Sequence, residues 1–153
     1  MTVMPEKYPL VVAQYVINGH FRRTEHWAIV VLKSRLHAQL FELKGNSDSF
    51  CFATSHHTAF ERARDLRGGA HVGWISSWDD LSWLTERLKS VPVVKGDRMW
   101  DCQNWTVEAL RLLKKDGVVF QHVKEDWLRM ELRMDLERSE TGMDATVEER
   151  LFP

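Results

Sequence analysis

The chain has 153 residues, of which 44% are hydrophobic and 28% charged, and its formal net charge at pH 7 is −1. This composition is typical of a soluble globular domain, and the balanced charge argues against a broad basic surface for nucleic acid or acidic lipid. The two cysteines are too few for a disulfide framework, and no apolar run reaches the roughly 20 residues of a membrane-spanning helix.

The amino-terminal half of the chain is rich in short apolar runs with β-forming residues. We expect strands over residues 10–17, 26–32, 36–43, 50–53 and 70–75. A polar turn at 33–35 predicts a hairpin, and alternation in the fourth strand places Cys51 in the core. Residues 55–69 are ambiguous, because they fit either a short helix over 58–66 or a long loop.

The second half of the chain is mainly helical in pattern. We expect helices over 77–91, 100–117 and 125–138, with a short strand over 118–123. In the last helix, Trp127, Met130 and Met134 recur at helical spacing and are expected to dock on the sheet. Strands followed by helices predict an α+β fold, an antiparallel sheet packed against helices, in a single domain over 1–138 with a polar tail over 139–153.

The helix that begins near Trp100 carries a cysteine in its first turn. Asp101 is the expected N-cap, so Cys102 takes the first helical position and shares a stripe with Trp105 and Ala109. On these grounds alone a buried packing cysteine is favoured. The alternative is a nucleophile whose thiolate is stabilised by the helix N-terminus, which also requires a histidine opposite.

Two histidines open predicted strands, His26 in HWAIVVL and His37 in the next strand. The ordered motifs are His26-Trp27, Leu36-His37, Gly73-Trp74, Val91-Pro92 and the helix Trp100-x-Cys102-x-x-Trp105. This order resembles circularly permuted papain-like proteins related to lecithin retinol acyltransferase, and it is most similar to uncharacterised fungal proteins of the same build. The resemblance covers roughly residues 10–120.

The resemblance implies a permuted papain-like fold in which Cys102 is the nucleophile, His26 the general base and His37 the orienting group. Because the second histidine motif is the weaker match, Glu42 or Gln39 are alternatives for the third position. Asp101 stands where the family has asparagine, and its charge would oppose a neighbouring thiolate. We expect substrate contacts from four residues: Trp27, Trp100, Gln103 and Trp105. The segment 55–69 is a further candidate wall of the cleft.

These observations predict a thiol-dependent acyl-transfer enzyme, either an amide or ester hydrolase or an acyltransferase, that works through a thioester on a small-molecule or peptide acyl substrate. We expect no cofactor, no metal, no nucleic-acid partner and no stable membrane insertion, and homodimerisation is left open. The start of the chain lacks a signal-peptide pattern, so a cytoplasmic location is expected. The alternatives are a non-catalytic binding or scaffold module of the same fold, and a biosynthetic enzyme that uses the cleft without covalent catalysis.

Overall fold

A computed structural model describes residues 7–20 and 23–140, with side chains as far as residue 137. The predicted polar tail lies almost entirely outside these residues. The strands are β1 Tyr8–Val16, β2 Glu25–Leu32, β3 Ala38–Lys44, β4 Cys51–His57 and β5 Leu66–Ile75, and the helices are α1 Leu81–Lys89, α2 Cys102–Lys115 and α3 Glu125–Glu140. The strands form one antiparallel sheet in the order β4-β3-β2-β1-β5, which confirms the α+β class.

The central strand β2 is buried on both faces of the sheet. Trp27, Ile29 and Val31 pack into the larger core beneath the helices, whereas the alternate residues from Ala28 to Leu32 pack into a second core closed by Phe60. Strand alternation with two buried faces explains why HWAIVVL reads as an unbroken apolar run. His26 lies at the beginning of this strand, where it pairs with Tyr15 of β1.

Helix α3 packs on β5 through a different face from the predicted one. Leu128 and Leu132 are buried, whereas Met130 is 53% and Met134 40% exposed, so the methionine stripe does not dock. The carboxylate of the buried Asp135 instead accepts a hydrogen bond from the Gly69 N–H at 2.8 Å. The prediction was wrong because the leucines and this aspartate, offset along the helix, form the buried face.

The structure decides one open alternative and corrects two further predictions. Within residues 55–69 it has no α-helix: β4 and β5 extend into the segment from both sides, and the loop between them contains one 3₁₀ turn at Phe60–Arg62. Cys51 is exposed, since β4 is an edge strand of the sheet. Residues 118–123 form only an isolated bridge of Val119 to Gly73. That close approach requires glycine, because a Cβ at Gly73 would lie 1.9 Å from the Val118 carbonyl oxygen.

Within the described residues, none of the helices combines the length and the apolar character needed to cross a membrane.

Candidate active site

The N-terminus of α2 is held by a capping box around Asp101. The Asp101 Oδ1 accepts a hydrogen bond from the Gln103 N–H at 3.0 Å, and the Asn104 Oδ1 accepts one from the Asp101 N–H at 2.9 Å. Cys102 is therefore the first helical residue, as predicted, and it is 7% exposed. The cap fixes the thiol at the helix end, where the helix dipole favours negative charge.

The charge of Asp101 is offset by a residue that the sequence reading did not single out. Arg23 Nε donates a hydrogen bond to Asp101 Oδ2 at 2.9 Å, and the aspartate side chain in this pair is only 3% exposed. The guanidinium partner reduces the repulsion that Asp101 alone would exert on a thiolate at Cys102. The aspartate in place of asparagine is therefore compatible with a charged thiol.

His26 and Glu42 form a hydrogen-bonded pair between β2 and β3. The His26 Nε2 lies 2.9 Å from the Glu42 Oε1, and both side chains are largely buried. Cys102 and His26 line the same cavity, and the Cys102 side chain contributes to raising the pKa of His26. Because Nε2 is occupied by Glu42, the Nδ1 atom is the ring nitrogen available to the sulfur.

The electrostatics of this group favour the protonated form of His26. Burial lowers the pKa of His26, but hydrogen bonds and charges from Cys102 and Glu42 outweigh it and raise the pKa to about 9. Burial alone would raise the pKa of Glu42, yet the hydrogen bond and charge of His26 leave it below its ordinary value. His26 is therefore a cation at neutral pH, held by the Glu42 carboxylate on one side and facing the thiol on the other.

Tyr15 adds a neutral hydroxyl to the same group. Burial and the charge of Glu42 both raise its pKa, so the hydroxyl stays protonated. Its ring centroid lies 6.3 Å from that of His26, directly across the β1–β2 pair.

Cys102 and His26 line a cavity of about 230 Å³, here named the Cys102 cavity. Its walls come from the turn after β1, the turn after β3 and the cap of α2. The other lining residues are Ile17, Asn18, Gly19, His20, Leu43, Gly45, Phe50 and Asp101. His20 belongs to none of the motifs that the sequence analysis identified. The turn signal Asn18-Gly19 is the feature that could have placed His20 here, because a hairpin turn ends beside the first residues of β2.

The structure corrects two expectations from the sequence: that His37 orients His26, and that residues 55–69 form a wall of the cleft. His37 is exposed at the far end of β2 from His26, where its ring lies 6.0 Å from that of His56. Glu42, one of the two alternatives anticipated, occupies the position beside His26 that the resemblance assigned to His37. The other alternative, Gln39, hydrogen-bonds Thr54 at an exposed site. Residues 55–69 do not line the Cys102 cavity.

None of the four residues expected to contact substrate lines the Cys102 cavity. Trp105 is fully buried, and Trp100 packs edge-on against Phe50. Trp27 is covered by the Arg129 guanidinium, 4.8 Å from its ring centroid. The Gln103 amide donates to the Glu25 carbonyl oxygen and accepts from Arg129, so both of its ends are used within the protein. The aromatic residues are framework because the first turn of α2 lies inside the core.

Candidate metal ligands do not cluster in the part of the chain that the structure describes. No group of three or more His, Cys, Asp or Glu side chains there has the proximity of a metal site.

Comparison with known proteins places this site within a family. Residues 13–120, more than half of the chain, match a family of unknown function, DUF6540. The chain belongs to this family. Neither the curated proteins nor the solved structures yield a match. In this DUF6540 chain the matched range includes Cys102, His26, Glu42 and the turns that form the Cys102 cavity, whereas α3 follows it.

Proposed function

We propose that this protein is a thiol-dependent acyl-transfer enzyme that uses Cys102, His26 and Glu42 through a thioester intermediate. The observation that carries the proposal is the largely buried His26, which lies 2.9 Å from Glu42 and lines the same cavity as a thiol at a helix N-terminus. A packing cysteine needs neither a buried charged partner nor an opening to solvent. A helix-borne thiol facing a strand-borne histidine also supports the permuted papain-like fold, which we propose for this chain.

In the proposed reaction the Cys102 thiolate attacks the carbonyl carbon of an amide or ester. The His26 imidazolium then gives its proton to the leaving nitrogen or oxygen, so that the carbon–heteroatom bond breaks and the thioester remains. Water or an amine next attacks the thioester carbonyl and gives a proton to His26. This proton restores the imidazolium, and collapse of the second tetrahedral intermediate then expels the Cys102 thiolate. Glu42 keeps the ring oriented and stabilises its charge throughout.

The oxyanion of both intermediates has a donor in the backbone of α2. The capping box uses the N–H groups of Asp101, Gln103 and Asn104. Within the described residues no acceptor is bound to the N–H of Cys102. This free donor at a helix N-terminus lies beside the sulfur and is suited to a developing negative oxygen.

Alkylation kinetics test the thiolate without a known substrate. In a Cys51→Ser background, iodoacetamide labelling of Cys102 should remain fast at pH 6, because His26 stays protonated up to about pH 9 and stabilises the thiolate. We expect His26→Ala to slow labelling at pH 6 by about tenfold or more. Intact mass gives the rates.

The exposed Cys51, measured in a Cys102→Ala background, provides the matched ordinary thiol. If Cys102 is labelled no faster than Cys51 at pH 6, and His26→Ala changes nothing, Cys102 is a packing residue and the protein is a binding module. A positive result is extended with activated esters, for which an acyl adduct on Cys102 should form in the parent and not in His26→Ala.

A further inference from the structure

A second cavity of about 270 Å³ lies beside the Cys102 cavity, and we name it the arginine cavity. Strand alternation in β2 divides the two spaces: Glu25 and Trp27 line the arginine cavity, whereas His26 lines the other. The Arg23–Asp101 ion pair joins them, since Arg23 lines one cavity and Asp101 the other. A ligand that extends past this ion pair would contact both cavities.

Positive charge predominates on the walls of the arginine cavity. Arg23, Arg129 and Arg133 line it, against a single carboxylate, Glu25. Arg129 is held in place, because it donates to Gln103 Oε1 at 2.7 Å and to Glu125 Oε2 at 3.0 Å. A guanidinium fixed in this way loses little rotamer freedom when it binds a ligand.

Arg133 differs from the other two arginines in its lack of a counter-ion. Arg23 is paired with Asp101 and Arg129 with Glu125, whereas Arg133 forms no ion pair with any residue that the structure describes. It is exposed on α3, one turn after Arg129, so its five N–H donors are available to a ligand in the cavity.

The cavity wall also contains a buried donor without an acceptor. Trp27 is 97% buried, and its Nε1–H has no hydrogen-bond partner among the described residues. The Arg129 guanidinium lies over this ring, 4.8 Å from its centroid, so a ligand bound by Arg129 alters the surroundings of the indole. Trp27 is therefore a reporter of binding in the cavity, and the arginines define the kind of ligand.

We infer that the arginine cavity binds a carboxylate group of the acyl substrate, whose carbonyl then lies at Cys102. The inference rests on the proposed function for its role in the reaction. A carboxylate is planar and matches the two parallel N–H groups of a guanidinium, and the cavity is near the small end for ligand sites, which suits a short side chain or a terminal carboxylate.

Binding is tested first without chemistry, in the Cys102→Ala protein. Titration with N-acetylglutamate should give a saturable shift of the Trp27 indole N–H signal in ¹H–¹⁵N spectra, assigned with Trp27→Phe. The neutral N-acetylglutaminamide, in which both carboxylates are replaced by carboxamides, should bind at least about tenfold more weakly, because it lacks the charge-assisted hydrogen bonds. Equal binding of the two compounds, or a stronger response to inorganic phosphate, overturns the carboxylate assignment.

Arg133→Gln is the decisive variant, because Arg133 is exposed and its replacement leaves the fold intact. It should weaken the binding of N-acetylglutamate about tenfold and leave that of N-acetylglutaminamide unchanged, whereas Arg64→Gln, at an exposed arginine outside the cavity, should change neither. An unchanged response in Arg133→Gln refutes the inference.

The alkylation experiment separates the two proposals. Carboxylate binding with an ordinary Cys102 thiol would refute the enzyme and keep the binding site. An activated thiol with no carboxylate preference would refute the arginine cavity alone.

Discussion

Glu42 is the side chain on which the orientation of His26 depends. Glu42→Gln keeps an oxygen for the Nε2 hydrogen bond but removes the negative charge, so the His26 pKa should fall from about 9 towards its ordinary value. With less imidazolium at pH 7, we expect acyl transfer or Cys102 labelling to slow by about 10- to 100-fold. Stopped-flow or mass-spectrometric rates at pH 7 measure the change.

His37→Ala is the matched control for that substitution, since His37 is exposed and distant from Cys102. Its rate should stay within about twofold of the parent. A loss in His37→Ala comparable to that in Glu42→Gln would restore the histidine to the role that the sequence first gave it.

The choice between His37 and Glu42 could not be made from the sequence alone. The two residues lie at opposite ends of the same predicted strand. Only the register of the β2–β3 pair decides which end lies beside His26. In an antiparallel pair the first residues of β2 face the last residues of β3, which excludes His37 and selects Glu42. The positions of Cys102 at a helix start and of His26 at a strand start were predictable because a capped helix and a strand start are local patterns, whereas their proposed roles come from the family resemblance.

At the level of elements, α2 depends on Asp101 as both a cap and a charge partner. Asp101→Ala removes both interactions and leaves Arg23 unpaired, so we expect a loss of about 3 kcal/mol in the free energy of unfolding. Asp101→Asn keeps the cap acceptor and should cost only about 1 kcal/mol. Urea denaturation gives both values.

The exposed Asp79 in the turn before α1 offers a control, and Asp79→Asn should stay within about 0.5 kcal/mol of the parent. Equal losses in Asp101→Ala and Asp101→Asn would show that the charge of Asp101, not its capping bond, carries the stability.

Elements with a clear hydrophobic periodicity could be predicted from the sequence, whereas elements shaped by tertiary contacts could not. The strands around HWAIVVL and the capped helix α2 follow from apolar runs and the Asp101 signal. The choice between helix and loop for residues 55–69 stayed open in the sequence because the extension of β4 and β5 into this segment is a tertiary effect. The face of α3 was misjudged because methionine and leucine are equally apolar, and the rotation follows from tertiary contacts such as those of Asp135 with Gly69 and of Gln14 with the Leu132 carbonyl oxygen.

For the whole molecule, the buried pair makes stability depend on pH. The pKa of Glu42 is lowered in the folded protein, so its ionised form stabilises the fold above the ordinary value of 4.5. That contribution is lost as the pH falls through the lowered pKa. The difference in free energy of unfolding between the parent and Glu42→Gln should therefore be larger at pH 6 than at pH 3, because the unfolded state takes up its proton first as the pH falls.

Chemical denaturation of both proteins at the two pH values checks this expectation. A difference that is constant or grows towards pH 3 would mean that the carboxylate is not the stabilising form.

The attachment of α3 to β5 has a consequence for protein synthesis. The ribosome releases the chain from its amino end, so β2, β3 and the start of α2 emerge before α3. A nascent chain therefore contains His26, Glu42 and Cys102 while it still lacks Arg129 and Arg133, and Asp135 has yet to join Gly69. With the roles proposed above, the residues of the thiol site are synthesised before the arginines that would select the substrate.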